Sequence, residues 1–318
     1  MKFCNGFLRR VAHEESGAVI IIVAFLLVAL LGMTALAVDV GQLYQVRRQM
    51  VTAADAGALA GVVSLIEDPD QDTAELVARN YAIENESEPG DTVVNVIDGH
   101  TVEVWSGKTV NYSFARILGF ESQLVTAYAK AEYFPVSSAK GIVPWAVDYL
   151  LYEKGATFTA KYSHHDDGSM GSGNYHALGL GGSGANRYRD NIKYGYDSVV
   201  SIGDWLDRES GNMSGPTTAG TQHRFDLCNC STGDDGHCID PENECPRKVM
   251  VPLYGDVLIH GNSVREVEVK AFAMIYILNV SGSGNESEVE AIFIEATHEG
   301  NYGGDVEDTG VYNVRLIE

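Results

Sequence analysis

Residues Gly17 to Val38 read GAVIIIVAFLLVALLGMTALAV, 22 side chains without a charge, and no proline follows them before Pro69. About 20 apolar residues cross a hydrocarbon core of roughly 30 Å, so the run has the length of a membrane span. A cleaved secretory signal has an apolar region of about 7–15 residues ending at a small-residue site. Ala35-Leu36-Ala37 resembles such a site but follows a longer run, so the segment reads as a retained anchor. No polar face interrupts it, which sets it apart from an amphipathic surface helix. The continuation DVGQLYQVRRQMVTAADAGALAGVVSL stays helix-compatible to about Leu65, so the anchor hands a long helix to whatever folds beyond it.

Lys2, Arg9 and Arg10 precede the span, while Arg47 and Arg48 follow it. The excess of basic residues on cytoplasmic flanks favours a cytoplasmic N-terminus. The expectation is a single-pass protein of the cell membrane: a cytoplasmic tail over 1–16, and a C-terminal body that is extracytoplasmic. The net charge is −22, and all of that excess lies after residue 40. Such a body is repelled by nucleic acid, which excludes that partner class. The chain has 34 glycines, 8 prolines and 16 tyrosines, a balance that suits tight turns between strands and a real core.

Leu43, Val46, Met50, Ala53, Gly57, Ala60 and Ser64 recur at spacings of three and four, a stripe for helix packing that includes Gly61 through Gly57-x-x-x-Gly61. Small residues there let another backbone approach closely, either the chain's own sheet or a neighbouring subunit. Pro69 ends the helix. A short helix over 72–85, strands over 92–97 and 101–105, an extended piece over 110–112, a short helix at 114–118 stopped by Gly119, and a strand over 124–133 make a small α+β module. Strands over 157–162, 249–254, 264–278, 289–296 and 311–317, joined by Gly-rich loops, make the rest β-rich. The expected class is α+β. Its parts are a transmembrane and extended helix (17–66), an α+β module (67–134), and a β-rich domain (135–318) with a Cys-rich insertion at 228–245.

Cys228, Cys230, Cys238 and Cys245 crowd into that insertion, which outside the cytoplasm suggests two disulfides. Zinc, with His237 as a further ligand, is the alternative. His164 and His165 with Asp166 and Asp167, and Asp234 with Asp235, are dense groups of metal-ligating side chains. Their oxygens suit calcium, although no EF-hand spacing is present. Gly179–Gly184 lacks the lysine of a phosphate-binding loop, and no nucleophile elbow or paired-histidine zinc motif occurs, so no catalytic residue is assigned.

Arg9-Arg10, Glu15-Ser16-Gly17-Ala18, the apolar span, Val38-Asp39-Val40-Gly41 and the segment AADAGALAG (53–61) together resemble the TadE/TadG-like proteins of Flp (Tad) pilus assembly. The resemblance covers about residues 9–62. It implies an envelope protein with a structural or assembly role and no enzyme activity, contacting the lipid bilayer and other pilus-assembly proteins or copies of itself. Pilin-like relatives are trimmed after a glycine that has Glu five positions on. Here Gly17 is followed at that position by Ile22, which points to an unprocessed anchor. Two other classes stay open: a membrane-tethered metal-dependent hydrolase built around 164–167, and a calcium-binding adhesin.

Overall fold

The computed structural model describes residues 15–162, 176–230, 245–261, 263–282, 287–298, 300–301 and 306–317. The chain forms two compact units, Met1–Glu132 with Leu316–Glu318, and Tyr133–Arg315. The class is α+β with a β-rich second unit.

Unit 1 is built on α1 (Glu15–Glu67), a 53-residue helix that carries the apolar run and the small-residue stripe without a break. After Asp68–Asp70 the chain reverses into α2 (Gln71–Glu84). Asp70 caps α2: its carboxylate accepts the Thr73 amide at 3.0 Å, taking up one of the orphan N–H groups of the first turn. Three antiparallel strands follow, β1 (Val93–Ile97), β2 (Thr101–Asn111) and β3 (Ser122–Pro135).

The packing of α1 explains its small residues. A Cβ on Gly57 would lie 2.8 Å from the Ala78 carbonyl oxygen, and one on Gly61 would lie 2.9 Å from the Ala78 Cβ. Val104 and Val102 of β2 close over the same two glycines. The glycine face is therefore filled from within the chain by α2 and β2, and it is not free for a neighbouring subunit. The buried surface also differs from the expected stripe. Val46, Met50, Ala53, Gly57, Gly61 and Ser64 are buried, but so are Ala54, Ala58, Val62 and Leu65, whereas Leu43 and Ala60 are only half-buried. The contact is broad and follows the 3.6-residue period of a straight helix, not the narrow 3.5-residue seam of a coiled coil.

β2 is one continuous strand where two pieces were expected, with Ser106-Gly107 inside it. Ser106 Oγ donates to the Met50 carbonyl at 2.6 Å. A Cβ on Gly107 would lie 2.7 Å from that of Asp91, so glycine here admits the neighbouring turn and does not interrupt the strand. Along β2 the partners on α1 run backwards: Val102 faces Gly61, Val104 faces Gly57, and Ser106 reaches Met50. The strand thus retraces the helix. At about 3.3 Å per strand residue and 1.5 Å per helix residue, it carries the chain back toward the apolar span.

Unit 2 contains β4 (Ser138–Ala139), β5 (Val147–Asp148), β6 (Thr157–Lys161), α3 (Ala185–Tyr194), β7 (Val200–Ser201), β8 (Trp205–Asp207) and α4 (Ser214–Leu227). It continues with β9 (Lys248–His260), β10 (Ser263–Ser281), β11 (Glu288–Ile294), β12 (Ala296–Thr297), β13 (Gly300–Asn301) and β14 (Val311–Leu316). The main sheet runs β5-β9-β10-β11-β6, with β8 on β10. It is buried on both faces. Val249, Val251 and Ile275 point into one core with Trp145, Tyr188 and Ile192, while Met250, Phe272 and Met274 point into another. That is why β9 and β10 read as continuous apolar runs and not as alternating ones. Helices α3 and α4 fall in stretches expected to be irregular. They are tied in by polar contacts: Trp145 Nε1 donates to the Tyr188 hydroxyl at 3.0 Å, which meets Thr217 Oγ1 at 3.2 Å.

Candidate functional site: an apolar anchor and its carboxylate clasp

One helix of the described chain is long and apolar enough to cross a membrane. Of the side chains from Val19 to Val38, all but Ala35 are exposed. Asp39 then ends the run, and it is 3% exposed although Val38 and Val40 beside it are open. Its burial comes from a distant segment. Oδ1 accepts the Ser113 amide at 2.8 Å, and Oδ2 accepts those of Phe114 at 3.1 Å and Ala115 at 2.7 Å. Three successive backbone N–H groups converge on one carboxylate, matching the acceptor-only chemistry of its ionised form.

These amides open the one-turn 3₁₀ helix Ala115–Leu118, which has no side-chain cap within itself and is stopped by Gly119 at φ 93°. Asp39 therefore caps a turn more than 70 residues away, and β2 is the element that delivers it. Between this loop and α1 lies a groove of about 780 Å³, lined by Leu31, Ala35 and Leu36 of the helix and by Phe114, Ile117 and Phe120 of the loop.

The apolar run, the Asp39 clasp and the small-residue face all lie within one stretch of α1. Residues 17–64 match the Tad family model, described as "Putative Flp pilus-assembly TadE/G-like". No curated protein and no solved structure matches the chain. In this TadE/G-like segment, Asp39 holds the long-range clasp. In the sequence Asp39 stands out only as part of Val38-Asp39-Val40-Gly41. The signal in the sequence is a lone carboxylate at the end of an uncharged run, where it needs a donor partner.

The other expected site residues divide between seen and unseen. Cys228, Cys230 and Cys245 converge, with their sulfurs within 4.8 Å of one another. Cys228 Sγ and Cys245 Sγ stand 3.5 Å apart, beyond the roughly 2.0 Å of a bonded pair, so the expected disulfide is not drawn between these two. Burial raises the Cys245 thiol above its ordinary value. For Cys228, burial pushes up, but the Cys230 amide, the other thiols and Arg247 outweigh it and hold the group below. Cys238, the histidine pair at 164–165, and the expected calcium ligands Asp166, Asp167, Asp234 and Asp235 lie outside the described residues.

The clasp has a direct test. Replacing Asp39 by Asn leaves one oxygen for three amides and turns an NH₂ toward them. Hydrogen exchange at Ser113, Phe114 and Ala115 should accelerate by about an order of magnitude or more, while α2 amides stay protected. Unchanged exchange over 112–120 would show that the carboxylate does not hold the loop.

Proposed function

We propose that the chain is a single-span envelope protein acting as a structural or assembly component of a Tad/Flp-type pilus or tight-adherence system. One observation supports this above others: an exposed apolar helix with the length of a membrane span continues unbroken into a folded unit, inside a segment that matches the TadE/G-like model. In this reading residues 1–16 are cytoplasmic, the body lies outside, and Ile22 leaves the anchor unprocessed. The role is non-enzymatic. The partners are the bilayer and other pilus-assembly proteins or copies of the chain. Because the glycine face is filled internally, partner contacts along α1 use the opposite side, where Tyr44, Val51 and Val63 are exposed. Outside the cytoplasm the thiol cluster pairs into disulfides, which peptide mapping without reductant detects.

Topology reporters fused after Glu318 test the reading. Alkaline phosphatase at that position should be active and green fluorescent protein dark. The reverse pattern would put the body in the cytoplasm and overturn the proposal.

A further inference from the structure

We infer that the loop Tyr112–Phe120 is a membrane wedge, seated in the acyl-chain boundary of the leaflet on the body's side. The inference rests on the anchor reading. Its first support is exposure: Phe114, Ile117 and Phe120 are 43%, 84% and 63% open, three large apolar groups on one short loop of a strongly acidic chain. Polar rims and caps normally fill such a loop tip, and a patch of this kind marks a contact surface.

The second support is position. The groove beside the loop reaches from Asp39 to Val28 on α1. Eleven helical residues rise about 16 Å, roughly half of a 30 Å hydrocarbon core. If α1 crosses the bilayer, one wall of this groove is the span itself, so its filling is lipid. Tyr44, which is 67% exposed, and the exposed Arg47 and Arg48 follow Asp39 by one to three turns. Aromatic and basic side chains of this kind sit at the headgroup level. Arg116, also exposed, is on the loop itself and can extend its guanidinium to the same level.

The third support is hydrogen bonding. Backbone placed in lipid must satisfy its N–H groups internally. The amides of Ser113, Phe114 and Ala115 go to Asp39. Those of Ile117, Gly119 and Phe120 go to the carbonyls of Phe114, Arg116 and Ala115. Six of the loop's amides are thus satisfied within the chain, as a place in lipid requires. The clasp also hides the Asp39 charge, which would otherwise face the acyl chains.

The full-length chain, reconstituted in phosphatidylcholine vesicles with brominated acyl chains, tests the wedge through added tryptophans, each read against the native Trp105, Trp145 and Trp205 background. Ile117→Trp should lose emission to bromine to the same extent as Leu31→Trp in the span, while Glu75→Trp on α2 keeps its emission. Quenching at Leu31→Trp without quenching at Ile117→Trp overturns the wedge and leaves the anchor standing. Blue-shifted but unquenched emission from Ile117→Trp does the same, and assigns the groove to a second copy of the chain. Quenching at neither position removes the anchor reading, and the wedge with it.

Discussion

Gly57→Leu is expected to destabilise unit 1 by about 3 kcal/mol or more, which denaturant titration of the full-length protein in detergent would read. The Cβ alone would stand 2.8 Å from the Ala78 carbonyl oxygen, 3.2 Å from the Ala82 Cβ and 3.4 Å from Val104 Cγ1. The obstructing atom is backbone, so it cannot swing aside as a flexible side chain would. Leucine then adds three more carbons between α1 and α2, and the helices must part. Parting them opens the face in which Ala53, Ala74, Ala78 and Ala82 are buried. Gly57→Ala is the finer probe. It gains about 1 kcal/mol of helix propensity and still loses to the carbonyl contact, for a net cost of about 1–2 kcal/mol. Gly41→Ala is the control, since nothing lies within 4 Å of its Cβ. There the propensity gain stands alone, and stability should rise by up to about 1 kcal/mol. An unmoved Gly57→Leu transition would mean that α2 does not close over this face. The glycines would then again be open to another subunit.

What the sequence disclosed follows from how local each signal is. The 53-residue helix is written in composition and in the absence of proline, and Pro69 marks its end to within two residues. The small-residue face is equally local, but its partner is not. Spacing shows that a backbone comes close to Gly57 without saying whose, and the answer depends on β2 retracing α1. Spacings of three and four amount to a 3.5-residue repeat, which puts Ala60 inside and leaves out the buried Ala54, Ala58 and Val62. A straight helix drifts from a 3.5-residue repeat within two heptads. Helices α3 and α4 were hidden because their apolar content is low: α3 buries only Tyr188 and Ile192, and the residues around them are polar.

The clasp was the least legible part. Asp39 was visible as an oddity at the end of an uncharged run. Its donors, however, lie 74 to 76 residues away and are backbone groups, which no side-chain motif can announce. The apolar loop reads as a short helix stopped by Gly119, which fits its 3₁₀ turn and positive φ. Its outward-facing Phe114, Ile117 and Phe120 had no periodicity to separate them from core residues. Lys161 was misleading in the same way. In TFTAK it ends a strand where a lysine normally reaches water, yet the structure buries it completely.

That burial predicts an unusual pH response. Lys161 Nζ donates to the Ser287 carbonyl at 2.8 Å and to Ser287 Oγ at 3.1 Å. Burial disfavours the charged ammonium, and nearby Glu288 offsets this only in part, so the group is pulled down from 10.5 to about 8. The folded state then holds the proton less tightly than the unfolded chain. Stability is lowest below about pH 8 and climbs between about 8 and 10.5, by about 3 kcal/mol in all. A half-buried tyrosine of the same unit acts the other way at higher pH. Tyr152, pushed up to about 12 mainly by burial, loses stability only above its unfolded value of 10. Cys228 is shifted down and Cys245 up from the ordinary thiol value, so the comparison must be made against a variant. Lys161→Met keeps an unbranched side chain only one atom shorter and removes the titration. Urea unfolding at pH 7.5 and 9.5 should show the wild type gaining on the variant as pH rises. At the lower pH, Lys161→Met should be the more stable by about 1–2 kcal/mol, after the lost hydrogen bonds to Ser287 are subtracted. Parallel pH profiles for the two proteins would mean that Lys161 reaches water and that the ammonium stays charged in the fold.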